Sequence, residues 1–281
     1  MKQGFVKVAS ATPRIRVADP VYNAQVICEQ AKEAAEHGAK IVVFPELCIT
    51  GYTCNDLFLQ ELLLEKAKEA LLTIAEETGQ LETLFLVGLP VDKDGRLYNV
   101  AAVLYRGRIL GMIPKKNIPM YAEFYEGRHF TPGEETVTEY RLGKQVIPFG
   151  SNLLFRCEEL PELILGCELC EDLWVAEPPS TSHALMGATV IANLSASNET
   201  VSKDDYRTLL IKASSARLLC GYIYTSAGEG ESTQDLVFGG HDLIAENGTL
   251  LVQSARFTTG ILYTDLDVLK ISSERRRMGT F

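Results

Sequence analysis

The sequence predicts a single α/β domain built on mixed sheets, and three observations lead there. Short apolar runs alternate with amphipathic helical stretches in the first half. Two-residue hairpin turns then interrupt that alternation. No linker, internal repeat or low-complexity segment divides the 281 residues. The alternation brings parallel pairing and the hairpins bring antiparallel pairing, so the sheets are mixed; eight uniform barrel repeats are not expected.

Val6–Ala9 alternates as a short strand. After Pro13 and Pro20, residues 21–37 carry Val21, Ala24, Ile27, Cys28, Ala31, Ala34 and Ala35 at helical spacing, with Gly38 as the stop. Ile41–Phe44 is a continuous apolar run of buried-strand type, ending at Pro45-Glu46. Leu57–Thr78 reads as a long helix closed by Gly79, and Leu84–Leu89 as a strand closed by Pro90. Asp94-Gly95 and Arg106-Gly107 are hairpin turns flanking Tyr98–Tyr105, which Arg108–Ile113 follows. Pro114–Gly133 gathers Pro, Gly, charges and the rings of Tyr121, Phe124, Tyr125, His129 and Phe130, as a long functional loop with a helical turn would. Ile164–Cys167 and Thr189–Leu194 suit strands, and His183–Gly187 and Asp204–Leu219 suit helices. Gly221–Ser226 and Thr233–Phe238 follow as strands, then a hairpin over Ile244–Leu251 turning at Asn247-Gly248, and a last strand over Ile261–Asp265. Residues 267–281 read as a helix and an exit segment.

Hydrophobic residues at 46% and charged residues at 23% provide enough apolar surface to offset chain entropy, which excludes general disorder. A net charge of -10 argues against binding a nucleic-acid backbone. The one dense basic run, Arg275-Arg276-Arg277, reads as a solvated helix or tail. No apolar run approaches the roughly 20 residues that cross a bilayer, and no signal peptide precedes the first strand, so a cytoplasmic protein is expected. Seven cysteines at irregular spacing read as reduced thiols, mostly buried.

Three groups stand at the ends of predicted buried strands, where a rigid backbone can present a side chain to a loop-lined cleft. They are Glu46 after Phe44-Pro45, Lys115 or its neighbour Lys116 after Pro114, and Cys170 in Cys167-Glu168-Leu169-Cys170-Glu171-Asp172. Three carboxylates beside Cys170 raise a thiol pKa unless a cation compensates, and Lys115 could be that cation. Cys167-x-x-Cys170 also fits a redox pair or half a zinc site, but no second close pair follows and the four histidines are scattered. G-x-S-x-G, G-x-G-x-x-G and the P-loop are absent. Gly228-Glu229-Gly230-Glu231-Ser232 has the glycines of a phosphate loop, but its two glutamates would repel phosphate.

Five stretches resemble the nitrilase superfamily, and within it the glutamine-hydrolysing domains of glutamine-dependent NAD synthetases. They are FPELCITGYTCNDLF (44–58), PKKNIPMYAEFYEGRHFTPG (114–133), GCELCEDLW (166–174), ATVIANLSAS (188–197) and SAGEGESTQDLVFGG (226–240), in the family order and across nearly the whole chain. The resemblance implies an α-β-β-α sandwich: two mixed sheets face to face, with helices outside. It implies a Glu-Lys-Cys triad of Glu46 as general base, Lys115 rather than Lys116, and Cys170 as nucleophile rather than Cys167. It places Tyr121, Glu171, Ser197 and Lys203 on the substrate, Lys203 where some relatives carry Arg, and Glu126 as a second, orienting carboxylate.

The implied reaction is hydrolysis of L-glutamine through a thioester, without metal or organic cofactor. ATP and Mg enter only in a synthetase domain that amidates nicotinic acid adenine dinucleotide with the ammonia. That domain's nucleotide loop does not occur in the chain. Residues 1–266 would be the amidohydrolase domain and 267–281 a helix and linker toward the synthetase partner. The resemblance also implies a homo-oligomer. Two other readings stay open: a free-standing aliphatic amidase, nitrilase or N-carbamoyl hydrolase of the same fold, and a binding scaffold with a degenerate triad.

Overall fold

A computed structural model describes residue 1 and residues 3–281. The first βαβ unit comprises β1 (Phe5–Thr12), α1 (Pro20–Glu36) and β2 (Ile41–Val43), with β1 and β2 parallel. Asp19 caps α1 by accepting from the Tyr22 N–H at 3.1 Å, Pro20 opens the first turn, and Ala24, Ile27, Ala31 and Ala34 form the buried stripe. After α2 (Glu61–Glu77), the chain enters β3 (Leu84–Lys93), β4 (Arg96–Tyr105) and β5 (Arg108–Pro114), then β6 (Thr138–Leu142), β7 (Gln145–Phe149) and β8 (Phe155–Arg156). Next come β9 (Ile164–Leu169), α3 (Pro179–Leu185), β10 (Val190–Ser195), α4 (Lys203–Arg217) and β11 (Gly221–Ser226). β12 (Leu243–Glu246), β13 (Thr249–Gln253), β14 (Gly260–Asp267) and α5 (Val268–Arg277) complete the order.

These strands form two mixed sheets, one ordered β14-β1-β2-β3-β4-β5-β7-β6 and the other β13-β12-β11-β10-β9-β8. Val6, Val8, Val43, Leu86, Val103 and Ile113 of the first face Leu165, Cys167, Leu169, Val190, Ala192 and Ile223 of the second across an apolar interior. The first sheet's outer face buries Ala9, Val42 and Phe85 against α1 and α2; the second's buries Ile191 and Tyr222 beside α3 and α4. The layering is α-β-β-α, as expected. Every cysteine is free.

The three predicted turns, Asp94-Gly95, Arg106-Gly107 and Asn247-Gly248, each hold both residues at positive φ, the primed geometry that matches strand twist. Elsewhere the expectations need correction. The helix expected from Leu57 begins at Glu61; residues 52–59 form a 3-10 turn broken by Asn55 at φ 49°. Tertiary bonds hold that turn: Asp56 receives a two-pronged Arg128 at 2.9 Å on each oxygen, and Glu231 receives the N–H groups of Tyr52 and Thr53.

Pro90 does not close β3, which runs on to Lys93 opposite β4. The carbonyls of Leu86 and Gly88 face the β2 side, accepting from Phe44 and Ile49. Pro90 has the same parity and faces that side beyond the end of β2, so its missing N–H costs no ladder bond. Thr233–Phe238 is not a strand and makes one isolated bridge, Asn198 to Phe238. The hairpin of β6 and β7 was not anticipated. Of the basic run, Arg276 and Arg277 are exposed on α5 as expected, but Arg275 is half-buried: its guanidinium donates to the carbonyls of Ala188, Leu218 and Leu219, tying α5 to the end of α4. Among the described residues no helix is long and apolar enough to cross a membrane.

Candidate active site

β2, β5, β9 and β10 all end at one edge of the sandwich, and the predicted residues lie just beyond them. Glu46 stands three residues past β2, fully buried. Its loop passes tightly over β3, where a Cβ on Gly88 would lie 2.2 Å from the Leu47 nitrogen, so glycine is required there. Leu47 takes a left-handed φ of 52°, and the Glu46 N–H reaches across to the Ser195 carbonyl of the second sheet at 3.3 Å.

Lys115 follows β5 directly and is also fully buried. Its Nζ donates to Glu46 Oε1 at 2.7 Å and to Glu126 Oε1 at 2.6 Å. Lys116 points elsewhere, to Glu135. One ammonium between two buried carboxylates leaves one negative charge uncompensated. Burial works against the Lys115 cation, but Glu126 and Glu46 outweigh it and hold its pKa well above the usual lysine value. Burial pushes Glu46 up to about 7, against the pull of Lys115. Glu46 Oε2 has no partner, whereas Oε1 also accepts from Asn99 Nδ2 at 2.7 Å.

Cys170 opens a 3-10 turn immediately after β9, with φ at 41°. A non-glycine residue in that region costs about 1–3 kcal/mol and places the side chain at the strand's tip. The charges that act on its thiol are those of Glu46, Lys115 and Glu126, not those of its sequence neighbours. The neighbours are otherwise engaged. Glu168 turns away to Tyr222 and the Ser180 N–H, and Asp172 accepts from the N–H groups of Leu169 and Asn117. Lys115 does not compensate in the way the sequence suggested. Burial and then Glu46 raise the thiol pKa well above its ordinary value despite the lysine, so the resting sulfur carries its proton. Cys167 faces the apolar interior between the sheets, and among the described residues no group of His, Cys, Asp and Glu is arranged to hold a metal.

The thiol opens onto a cavity of about 420 Å³, lined also by Tyr121, Glu123, Phe124, Glu171, Trp174, Ser197 and Lys203. The Tyr121 hydroxyl donates to Glu171 Oε1 at 2.8 Å. The Lys203 ammonium lies 5.2 Å from the Trp174 ring centroid and 5.5 Å from that of Phe124, and it donates to Asn198 Oδ1. Burial lowers its pKa from the usual lysine value. All eight predicted residues therefore converge on one site.

The sequence reading missed several partners. Asn99 bonds Glu46 and, at 3.4 Å, Glu126; its signal was an amide inside the apolar run of β4. Tyr52 donates to Glu126 Oε1 at 2.8 Å, and Glu231, discarded with its glycine-rich loop, fastens Tyr52 from the backbone side. Asp172 ties the residue two past Lys115 to the Cys170 turn, through Asn117 N and Nδ2 at 2.8 Å each. Arg207 is a charged residue on the buried stripe of α4 with Ile211 and Ser214.

The sequence profile of the carbon-nitrogen hydrolase family matches residues 7–276. The chain is 43% identical over 282 aligned positions to the glutamine-dependent NAD(+) synthetase of Mycobacterium tuberculosis, covering 100% of this chain and 42% of that protein. It superposes on the crystal structure of a glutamine-dependent NAD(+) synthetase from Cytophaga hutchinsonii with TM-score 0.84 and 28% identity, over 93% of this chain and 43% of that one. An amidase of Nesterenkonia shares the fold from end to end, with TM-score 0.74, 21% identity and coverage of 99% and 97%. The chain thus spans about two-fifths of the synthetases it matches and nearly the whole of the amidase. Profile match and sandwich together place this chain in the carbon-nitrogen hydrolase family.

Proposed function

We propose that this chain hydrolyses L-glutamine to glutamate and ammonia, and that the ammonia serves ATP-dependent NAD synthesis in a synthetase partner. The observation that carries the reading is Glu46: a buried carboxylate with one oxygen pinned by Lys115 and Asn99 and the other unpartnered, acting on a thiol that still holds its proton.

An amide resists attack because its nitrogen lone pair stabilises the carbonyl. A neutral thiol needs a base at the moment of addition. Glu46 Oε2 takes the Cys170 proton as Sγ bonds to the amide carbon. The oxyanion that develops faces the Lys115 ammonium, whose two bonds to carboxylates leave a third N–H, and the backbone N–H of Glu171. Glu46 then passes its proton to the leaving nitrogen, the C–N bond breaks and ammonia departs. Water gives a proton to the same carboxylate, attacks the thioester and releases glutamate with the thiol restored. Glu126 holds Lys115 from the other side.

The cavity's charged lining favours an amide with an amino-acid head. Glu123 and Glu171 suit an α-ammonium, and Lys203 and the Ser197 hydroxyl suit an α-carboxylate. Each of those groups already has one protein partner, and a plain aliphatic amide offers no charge to their remaining donors and acceptors, so it gains less from this lining than an amino-acid amide does. Ammonia release from glutamine, butyramide and propionitrile tests the assignment. Glutamine should be preferred, and Cys170→Ala should lower turnover by about 10⁴-fold or more. Release from butyramide or the nitrile alone would point to a free-standing amidase or nitrilase instead.

A further inference from the structure

Behind the cavity lies an arginine that never reaches it. Arg207 is fully buried on α4. Its Nη2 donates to Ser197 Oγ at 3.2 Å and to the Asn198 carbonyl at 3.1 Å. Its Nη1 donates to Glu199 Oε1 at 2.8 Å and to His241 Nδ1 at 3.0 Å. Burial, and then the Arg207 charge, lower His241 to about 4, which keeps the ring neutral and able to accept. Glu199 balances the charge, so the guanidinium is a fixed four-bond clamp.

The clamp governs one side of the cavity. Arginine has no acceptor, so Ser197 must accept from it and direct its own hydroxyl hydrogen elsewhere. Asn198, held by its carbonyl, accepts Lys203 through Oδ1 and donates to Glu123 Oε1 at 2.6 Å through Nδ2. The cavity's cation, one of its anions and its serine thus all hang from one buried side chain.

We propose that Arg207 is the positioning residue for the charged end of the substrate, and that preference for an amide with an α-amino-acid head over an uncharged amide depends on it. This inference rests on the glutamine reading above. Lysine keeps the charge but cannot span four acceptors.

The test is alkylation of Cys170 by iodoacetamide, read by mass spectrometry on the Cys170 peptide, with glutamine or butyramide as protectant. In Arg207→Lys the glutamine concentration for half-protection should rise about tenfold or more, as loss of charge-assisted hydrogen bonds predicts. Alkylation without glutamine should stay within about twofold of wild type, because the thiol and its base are untouched. Should Arg207→Lys fail to fold, the double variant Arg207→Met/Glu199→Met carries the same expectation, since it leaves no unpaired buried charge. Unchanged glutamine protection, or loss of alkylation and protection by the same factor, would overturn the inference alone. Wild-type protein shielded by butyramide but not by glutamine would overturn the glutamine reading and this inference with it.

Discussion

Glu46 and Glu168 are both buried carboxylates on adjoining layers, and burial pushes each up to about 7. Glu46 sits at the edge where the two sheets meet, and Glu168 between the second sheet and α3. Both oxygens of Glu168 are occupied, one by the Tyr222 hydroxyl and one by the Ser180 N–H at 2.8 Å. Glu46 has one oxygen doubly bonded to donors and one with none. A raised carboxyl pKa therefore reports burial in both places. What sets Glu46 apart is an idle acceptor, a neighbouring cation and an adjacent thiol that opens onto the cavity, none of which Glu168 has.

Variants of the two centres can break this contrast. The largest effect should come from Glu46→Gln, which keeps the shape and removes the proposed base. Ammonia release should fall about 10²- to 10⁴-fold in steady-state assays. In wild type the base must be ionised, so kcat/KM should decline as pH drops through about 7 and protons reload Glu46. A flat profile there would deny Glu46 its role. Lys115→Met leaves Glu46 and Glu126 buried without their cation. It should cost about 3–5 kcal/mol in denaturant unfolding as well as activity.

Glu168→Gln should leave kcat within about threefold, as befits a group with no idle oxygen. Its effect belongs to stability. The folded state holds the Glu168 proton more tightly than the unfolded chain does. Stability is therefore full below the unfolded carboxyl pKa and is lost as pH rises through about 7. The variant should flatten that decline, gaining at most about 3 kcal/mol over wild type at pH 8 in thermal melts. A kcat loss matching Glu46→Gln would erase the distinction between the two centres. Smallest is Tyr121→Phe, which deletes one half-exposed bond to Glu171. KM for glutamine should rise about 3- to 10-fold with kcat little changed.

The parallel core was legible because continuous apolar runs at Ile41–Phe44, Leu84–Leu89 and Thr189–Leu194 have the length and ending of buried strands. The primed turns were legible because few dipeptides tolerate two positive φ values. The start of α2 was not, since long-range bonds to Asp56 and Glu231 override helical spacing there. β6 and β7 hid in mixed polar segments that alternate only weakly. In the site, strand ends offered Glu46, Lys115 or Lys116, and Cys170 beside Cys167; the family resemblance chose Lys115 and Cys170, and Asn99, Tyr52 and Arg207 gave no local signal of what they touch.

By itself the sequence determined mixed sheets, most strand ends and the residue types available for amide chemistry, because periodicity and turn chemistry are local properties; the four-layer sandwich came only with the family resemblance. Tertiary structure alone decided which carboxylate stays idle, which cation is shared, and that the thiol keeps its proton. Those outcomes depend on burial and on distances between side chains up to 124 positions apart in the chain, from Glu46 to Cys170, and no local pattern encodes them.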